Sequence, residues 1–88
     1  MVCKRVLYSG RVQGVGFRYT AQALAAGYPV AGYVRNLPSG EVELVAEGEE
    51  SAVEAFLAAV AQRMAGYIRN TTIQDVAPTG QRGFRIRY

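Results

Sequence analysis

Gly10-Arg11-Val12-Gln13-Gly14-Val15-Gly16-Phe17-Arg18 joins the apolar run Val6-Leu7-Tyr8 to a segment with helical spacing. It reads as a glycine-rich strand-to-helix turn. Glycine admits positive φ without the Cβ clash that keeps other residues out, so successive backbone N–H groups can point into one concavity. A helix opening near Gly16 adds its own unpaired N–H groups and the positive end of its dipole. Together these form an anion cradle. Arg18, in the first helical turn, brings a planar fork suited to two oxygens of a phosphate.

Two other glycine motifs are excluded. A dinucleotide fingerprint needs a third glycine where Tyr19 stands, and a Walker-type loop needs Gly-Lys-Ser/Thr, which is absent. Spacing alone leaves a plainer reading open, in which the glycines serve only a tight turn and Arg18 is a solvated cation.

Working outward, the first strand is expected over Lys4–Ser9. Phe17, Ala21, Leu24, Ala25 and Tyr28 recur at helical spacing, giving a helix from Phe17 to Ala26 that Gly27 ends and Pro29 keeps from continuing. Val30–Leu37 and Glu41–Gly48 read as a hairpin turning on Leu37-Pro38-Ser39-Gly40, with proline second and glycine fourth. In its second strand Val42, Leu44 and Ala46 face inward, and Glu41, Glu43 and Glu47 outward. A second helix spans Glu50–Arg63 on the stripe Val53, Phe56, Leu57, Val60 and Met64, with Ser51 and Glu54 at capping-box spacing. Tyr67–Val76 is a fourth strand and Phe84–Tyr88 a short last one. The order β-α-β-β-α-β specifies an α+β ferredoxin-like sandwich: one antiparallel sheet of four to five strands, with two helices on one face.

Gly32-Tyr33-Val34-Arg35-Asn36 is echoed 34 residues later by Gly66-Tyr67-Ile68-Arg69-Asn70. The echo is readable either as pseudo-symmetry of two β-α-β halves or as chance. The connections that precede the two helices nevertheless differ. One is the glycine cradle, and the other is Glu47-Gly48-Glu49-Glu50, which repels an anion. Only the first half suits phosphate, which favours Asn36 over Asn70. A strand-end asparagine bonding to the turn after it is the plainer reading of Asn36.

At 88 residues the chain has room for one domain, 1–88, and the sequence has no histidine. The single cysteine, Cys3, cannot form an internal disulfide, which fits a reducing compartment. No signal peptide and no apolar run of the roughly 20 residues a membrane span needs is visible, so a cytoplasmic protein without membrane contact is expected. Lys4, Arg5, Arg11, Arg18 and Arg35 all precede the first acid, Glu41, after which a cluster runs to Glu54. The first third attracts a small anion, whereas the middle repels a phosphate backbone, so nucleic acid is not an expected partner.

The blocks Gly10–Arg18, Gly32–Pro38 and Gly83–Ile86 resemble the signature of the acylphosphatases, and the resemblance runs from about Val6 to Tyr88. It implies hydrolysis of a carboxylic-phosphoric mixed anhydride to a carboxylate and inorganic phosphate. It also implies catalytic roles for Arg18, which binds phosphoryl oxygens, and Asn36, which holds the attacking water. Gln13, Gly14, Val15, Gly16 and Phe17 form the substrate-binding loop, acting more through backbone than side chain. No cofactor or metal is implied. The expected partner is a small acyl phosphate acting on a monomer, with inorganic phosphate as product and inhibitor. Ser39 stands where the family more often has aspartate, and either residue suits the turn.

The alternatives are a non-catalytic anion- or RNA-binding module of the same topology, and a domain of the same kind within a longer carbamoyl-handling protein. RNA-binding sheets carry exposed aromatics at set places on central strands, and no such motif is visible here. The 88-residue length speaks for a free-standing enzyme.

Overall fold

Side-chain alternation in the first strand separates the two sides of the molecule. In the computed structural model, which describes residues 1–88, β1 (Val2–Gly10) buries Val6 and Tyr8 on the side that the helices cover. The other elements are α1 (Phe17–Ala25), β2 (Val30–Asn36), β3 (Val42–Gly48), α2 (Glu50–Arg63), β4 (Ile68–Val76) and β5 (Phe84–Arg87). They form a five-stranded sheet in the order β4-β1-β3-β2-β5. The core lies between its helix side and the helices. Val34, Val42, Leu44 and Ala46 supply the sheet half, and Phe17, Ala21, Val53, Phe56 and Val60 the helical half. Each apolar stripe read from the sequence therefore faces this layer, with Leu24, Tyr28 and Leu57 packed at its margin. The longest helix, α2, has 14 residues, and no helix is long and apolar enough to cross a membrane.

The hairpin turns where expected: the Gly40 N–H donates to Leu37 O at 3.1 Å and the Leu37 N–H to Glu41 O at 2.8 Å. Four details differ from the sequence reading. The sheet is antiparallel except at one edge, where β5 runs parallel to β2, with Arg35 level with Arg87. The connecting loop is held on β3 by Glu47, whose carboxylate accepts hydrogen bonds from the backbone N–H groups of Thr79, Gly80 and Gln81 and from Thr79 Oγ1 as the chain passes to the far edge. β5 then starts at the same end as β2.

Glu43 and Glu47 do point away from the helices, but they are buried, at 2% and 5% exposure, rather than solvated. β3 is central, and long neighbouring side chains and the loop cover it. Ser51 caps nothing: the cap position is Glu49, in extended conformation, and Ser51 sits inside the helix. The internal echo is also out of register with the fold. β2 and β4 begin 38 residues apart, at Val30 and Ile68, whereas the copies are 34 apart. The first copy closes β2 and the second opens β4, so pseudo-symmetry does not account for it.

Candidate active site

Tyr8 and Phe17 stack at 4.9 Å between ring centres and fix the first turn of α1 on the sheet. Burial pushes the Tyr8 phenol well above its ordinary value, so the floor beneath the loop stays uncharged. Above it the chain from Arg11 to Gly16 must turn back sharply, and Gly14 and Gly16 do so at φ 77° and 79°, in the left-handed region glycine enters freely.

Gly16 caps α1 without any side-chain hydrogen bond. Around the turn only the N–H groups of Arg11, to Tyr67 O, and Thr20, to Gly16 O, find backbone acceptors. The N–H groups from Val12 to Tyr19 are left uncommitted within the chain. For a helix start this is the arrangement that receives an oxyanion.

A cavity of about 110 Å³ opens here, lined by Val12, Gly14, Gly16, Phe17, Arg18, Tyr19 and Asn36. Arg18 and Asn36, 18 positions apart in the chain, thus share one wall of space. Arg18 arrives on the first turn of α1. Asn36 arrives as the last residue of β2, on the helix side, two positions beyond the buried Val34.

The Arg18 guanidinium forms no ion pair and lies 4.8 Å from the centre of the Tyr88 ring. The Asn36 carboxamide bonds to nothing in the protein. The turn after it is served instead by Gln13, whose Nε2 donates to Leu37 O at 2.8 Å and Glu41 O at 2.9 Å, and by Ser39 Oγ, which accepts from the Glu41 N–H.

Of the loop residues named from the sequence, Gly14, Gly16 and Phe17 line the cavity and Gln13 and Val15 do not. The Gln13 side chain straps the loop to the hairpin that carries Asn36, and Val15 packs against the core. Val12, Tyr19 and Tyr88 were missed. Tyr19 is adjacent to Arg18 in sequence, a signal open to reading. Tyr88 gives no local signal.

The charge asymmetry of the sequence becomes one of space. β1, β2 and β5 end, and α1 and β4 begin, at the loop end, which carries Arg11, Arg18 and Arg69. Glu47, Glu49, Glu50 and Glu54 lie at the opposite end, while Glu41, in the hairpin turn, stands at the loop end. No three His, Cys, Asp or Glu side chains converge in a metal-holding group.

These features define a ferredoxin-like α+β domain with a cavity lined by Gly14, Gly16, Arg18 and Asn36, beside a helix start whose N–H groups have no acceptor in the chain. A sequence model of the acylphosphatase family matches residues 4–86. The acylphosphatase of Methanospirillum hungatei is 43% identical over 88 residues, covering 96% of this chain and 97% of that one. The crystal structure of acylphosphatase from Bacillus subtilis superposes with a TM-score of 0.90 at 35% identity, over the whole of both chains. The same fold recurs in the crystal structure of full-length HypF, at 28% identity and a TM-score of 0.85, where it corresponds to 12% of that chain.

The chain belongs to the acylphosphatase family and is a hydrolase of acyl phosphates. The RNA-module alternative is not supported: the open side of the sheet carries one aromatic residue, Tyr33, stacked against Arg87 at 3.9 Å.

Proposed function

We propose that the uncommitted N–H groups of the Gly10–Phe17 loop and the Arg18 guanidinium hold the phosphoryl group while Asn36 orients the attacking water. One observation carries this: two residues from separate elements, neither paired with a protein charge, line one cavity beside a loop whose N–H groups have no acceptor in the chain. Phosphoryl transfer asks mainly for positioning and charge stabilisation. The carboxylate leaving group is weakly basic, so a chain with no histidine suffices.

The water oxygen attacks phosphorus in line, and the P–O bond to the acyl carboxylate breaks. The bonding pair leaves on the carboxylate. The Asn36 carboxamide oxygen accepts one water hydrogen and aims the lone pair. The water's proton passes to a phosphoryl oxygen, giving inorganic phosphate, which then competes for the same cradle. We read the setting as reducing and cytoplasmic, in keeping with a chain whose single cysteine has no partner for an internal disulfide. We read the working unit as a single chain.

Release of inorganic phosphate from acetyl phosphate, followed with excess chelator, tests this reading. Undiminished turnover is expected. Loss of turnover that added metal restores would overturn the metal-free chemistry, and no hydrolysis under any condition would overturn the enzymatic role.

A further inference from the structure

On the β4 side of the loop a second cleft, of about 280 Å³, is lined by Gly10, Arg11, Gly66, Tyr67, Ile68 and Arg69. Its floor is built and close-packed. The pairing of β1 with β4 shifts register between Ser9 and Gly10, and the Arg11 N–H donates to Tyr67 O at 2.9 Å. At Gly10 the strands approach so closely that a Cβ would fall 2.5 Å from Tyr67 O and 2.7 Å from the Arg69 nitrogen. Glycine is therefore required there, and the backbones carrying Arg11 and Arg69 are held side by side.

Neither guanidinium has a carboxylate partner. The ion pairs of the molecule are Lys4–Asp75, Arg5–Glu43 and Arg35–Glu43. Asp75, the only acid on β4, stands six residues beyond Arg69, about 20 Å along a strand, and is taken by Lys4. Two like charges held beside one cleft with no counter-charge leave it complementary to an anion, and the half-exposed Tyr67 adds an apolar flank. Gly10 and Arg11 line this cleft, while Val12, the next residue, lines the cavity that holds Arg18 and Asn36.

We propose that the Arg11–Arg69 cleft is a second anion subsite, taking a carboxylate or phosphate group beside the phosphoryl cradle. The proposal rests on the acyl phosphatase reading only insofar as the anion is the far end of the substrate's own acyl group. A separate small anion is the other source of the same chemistry.

Wild type, Arg69→Ala and Arg69→Lys are assayed with acetyl phosphate, whose acyl group is uncharged, and succinyl phosphate, which carries a remote carboxylate. Thermal unfolding confirms that each variant is folded. If the substrate supplies the anion, Arg69→Ala lowers kcat/KM for succinyl phosphate about fivefold, the scale of an exposed charge pair. Acetyl phosphate stays within about twofold, and lysine restores part of the loss.

In parallel, succinate is titrated into phosphate-free wild type, and the amide NMR signals of Gly10, Tyr67 and Arg69 are followed. Succinate-dependent shifts that Arg69→Ala abolishes, without discrimination between the two substrates, assign the cleft to a free anion. Equal effects on both substrates together with no shifts overturn the subsite. If wild type hydrolyses neither substrate, the enzymatic reading fails while the titration still decides the cleft.

Discussion

The Arg18 guanidinium lies 4.8 Å from the ring centre of Tyr88, the two residues reaching each other from the first helix and the end of the last strand. Parallel pairing places Arg87 level with Arg35, so the next residue, Tyr88, comes level with Asn36. The ring thus lies against a residue that lines the cavity. Tyr88→Ala is expected to lower kcat/KM about two- to fivefold, the scale of an exposed cation–π contact. Tyr88→Phe keeps the ring face and should stay close to wild type. Steady-state kinetics with acetyl phosphate reads both, and an alanine variant indistinguishable from wild type would remove the ring from the site.

Arg18 and Asn36 should fail differently. Arg18→Ala is expected to lose about 2.7 to 4 kcal/mol of transition-state stabilisation, the scale of a missing preorganised donor, and to weaken inhibition by phosphate. Arg18→Lys restores little, because a point charge lacks the bidentate fork. Asn36→Ala should lose kcat while the phosphate inhibition constant stays near wild type. The reverse pattern, lost phosphate binding with slow turnover intact, would exchange the assigned roles.

Gln13 spans the loop and the hairpin, donating to both Leu37 O and Glu41 O. Each such bond contributes about 0.5 to 1.5 kcal/mol net. Gln13→Ala frees the loop from the strand end that carries Asn36, so kcat should fall about three- to tenfold with phosphate affinity little changed. Chemical denaturation separates this from general destabilisation, since the side chain is exposed and its loss should move stability by no more than its hydrogen bonds contribute.

Two buried carboxylates on β3 give the fold an acid limit. Burial alone would raise Glu43, but the guanidinium hydrogen bonds of Arg5, at 2.6 Å, and Arg35, at 2.5 Å, outweigh it and hold the group below 4.5. For Glu47 burial is again outweighed, here by Thr79 and the N–H groups of Gly80 and Gln81. With pKa depressed on folding, the unfolded chain binds more protons over this range. Their stabilisation is therefore complete above about pH 4.5 and is lost as pH falls through the lowered values. The urea midpoint should owe no change to these groups between pH 7 and 5.5 and should drop below about 4.5, less steeply in Glu47→Gln. A decline confined to the neutral range would point to other groups.

Much of this was readable one segment at a time. The glycines of the loop announced positive φ, and Gly14 and Gly16 have it. Apolar stripes at helical spacing placed both helices to within a residue, and Pro38 and Gly40 placed the hairpin. Arg18 was singled out by the loop chemistry, and the role of Asn36 came from the family resemblance; the structure brings both to one cavity. The exposure of Glu43 and Glu47 was misjudged because alternation reports which side of a sheet a residue faces, not what covers that side. Their cover comes from Arg5, Arg35 and residues 79–81, far away in sequence.

The amino-acid order by itself determined the elements, the glycine turn before the first helix and the family, because each depends on neighbours a few residues apart: backbone freedom, helical period and motif spacing. Only the folded chain decided that Arg18 and Asn36 share a cavity, that β5 runs parallel to β2 and brings Tyr88 to Arg18, and that Arg11 and Arg69 flank one cleft. Those juxtapositions arise from strand pairing and from the hydrogen bonds that hold residues 79–81 on Glu47, interactions between residues tens of positions apart that no local pattern encodes.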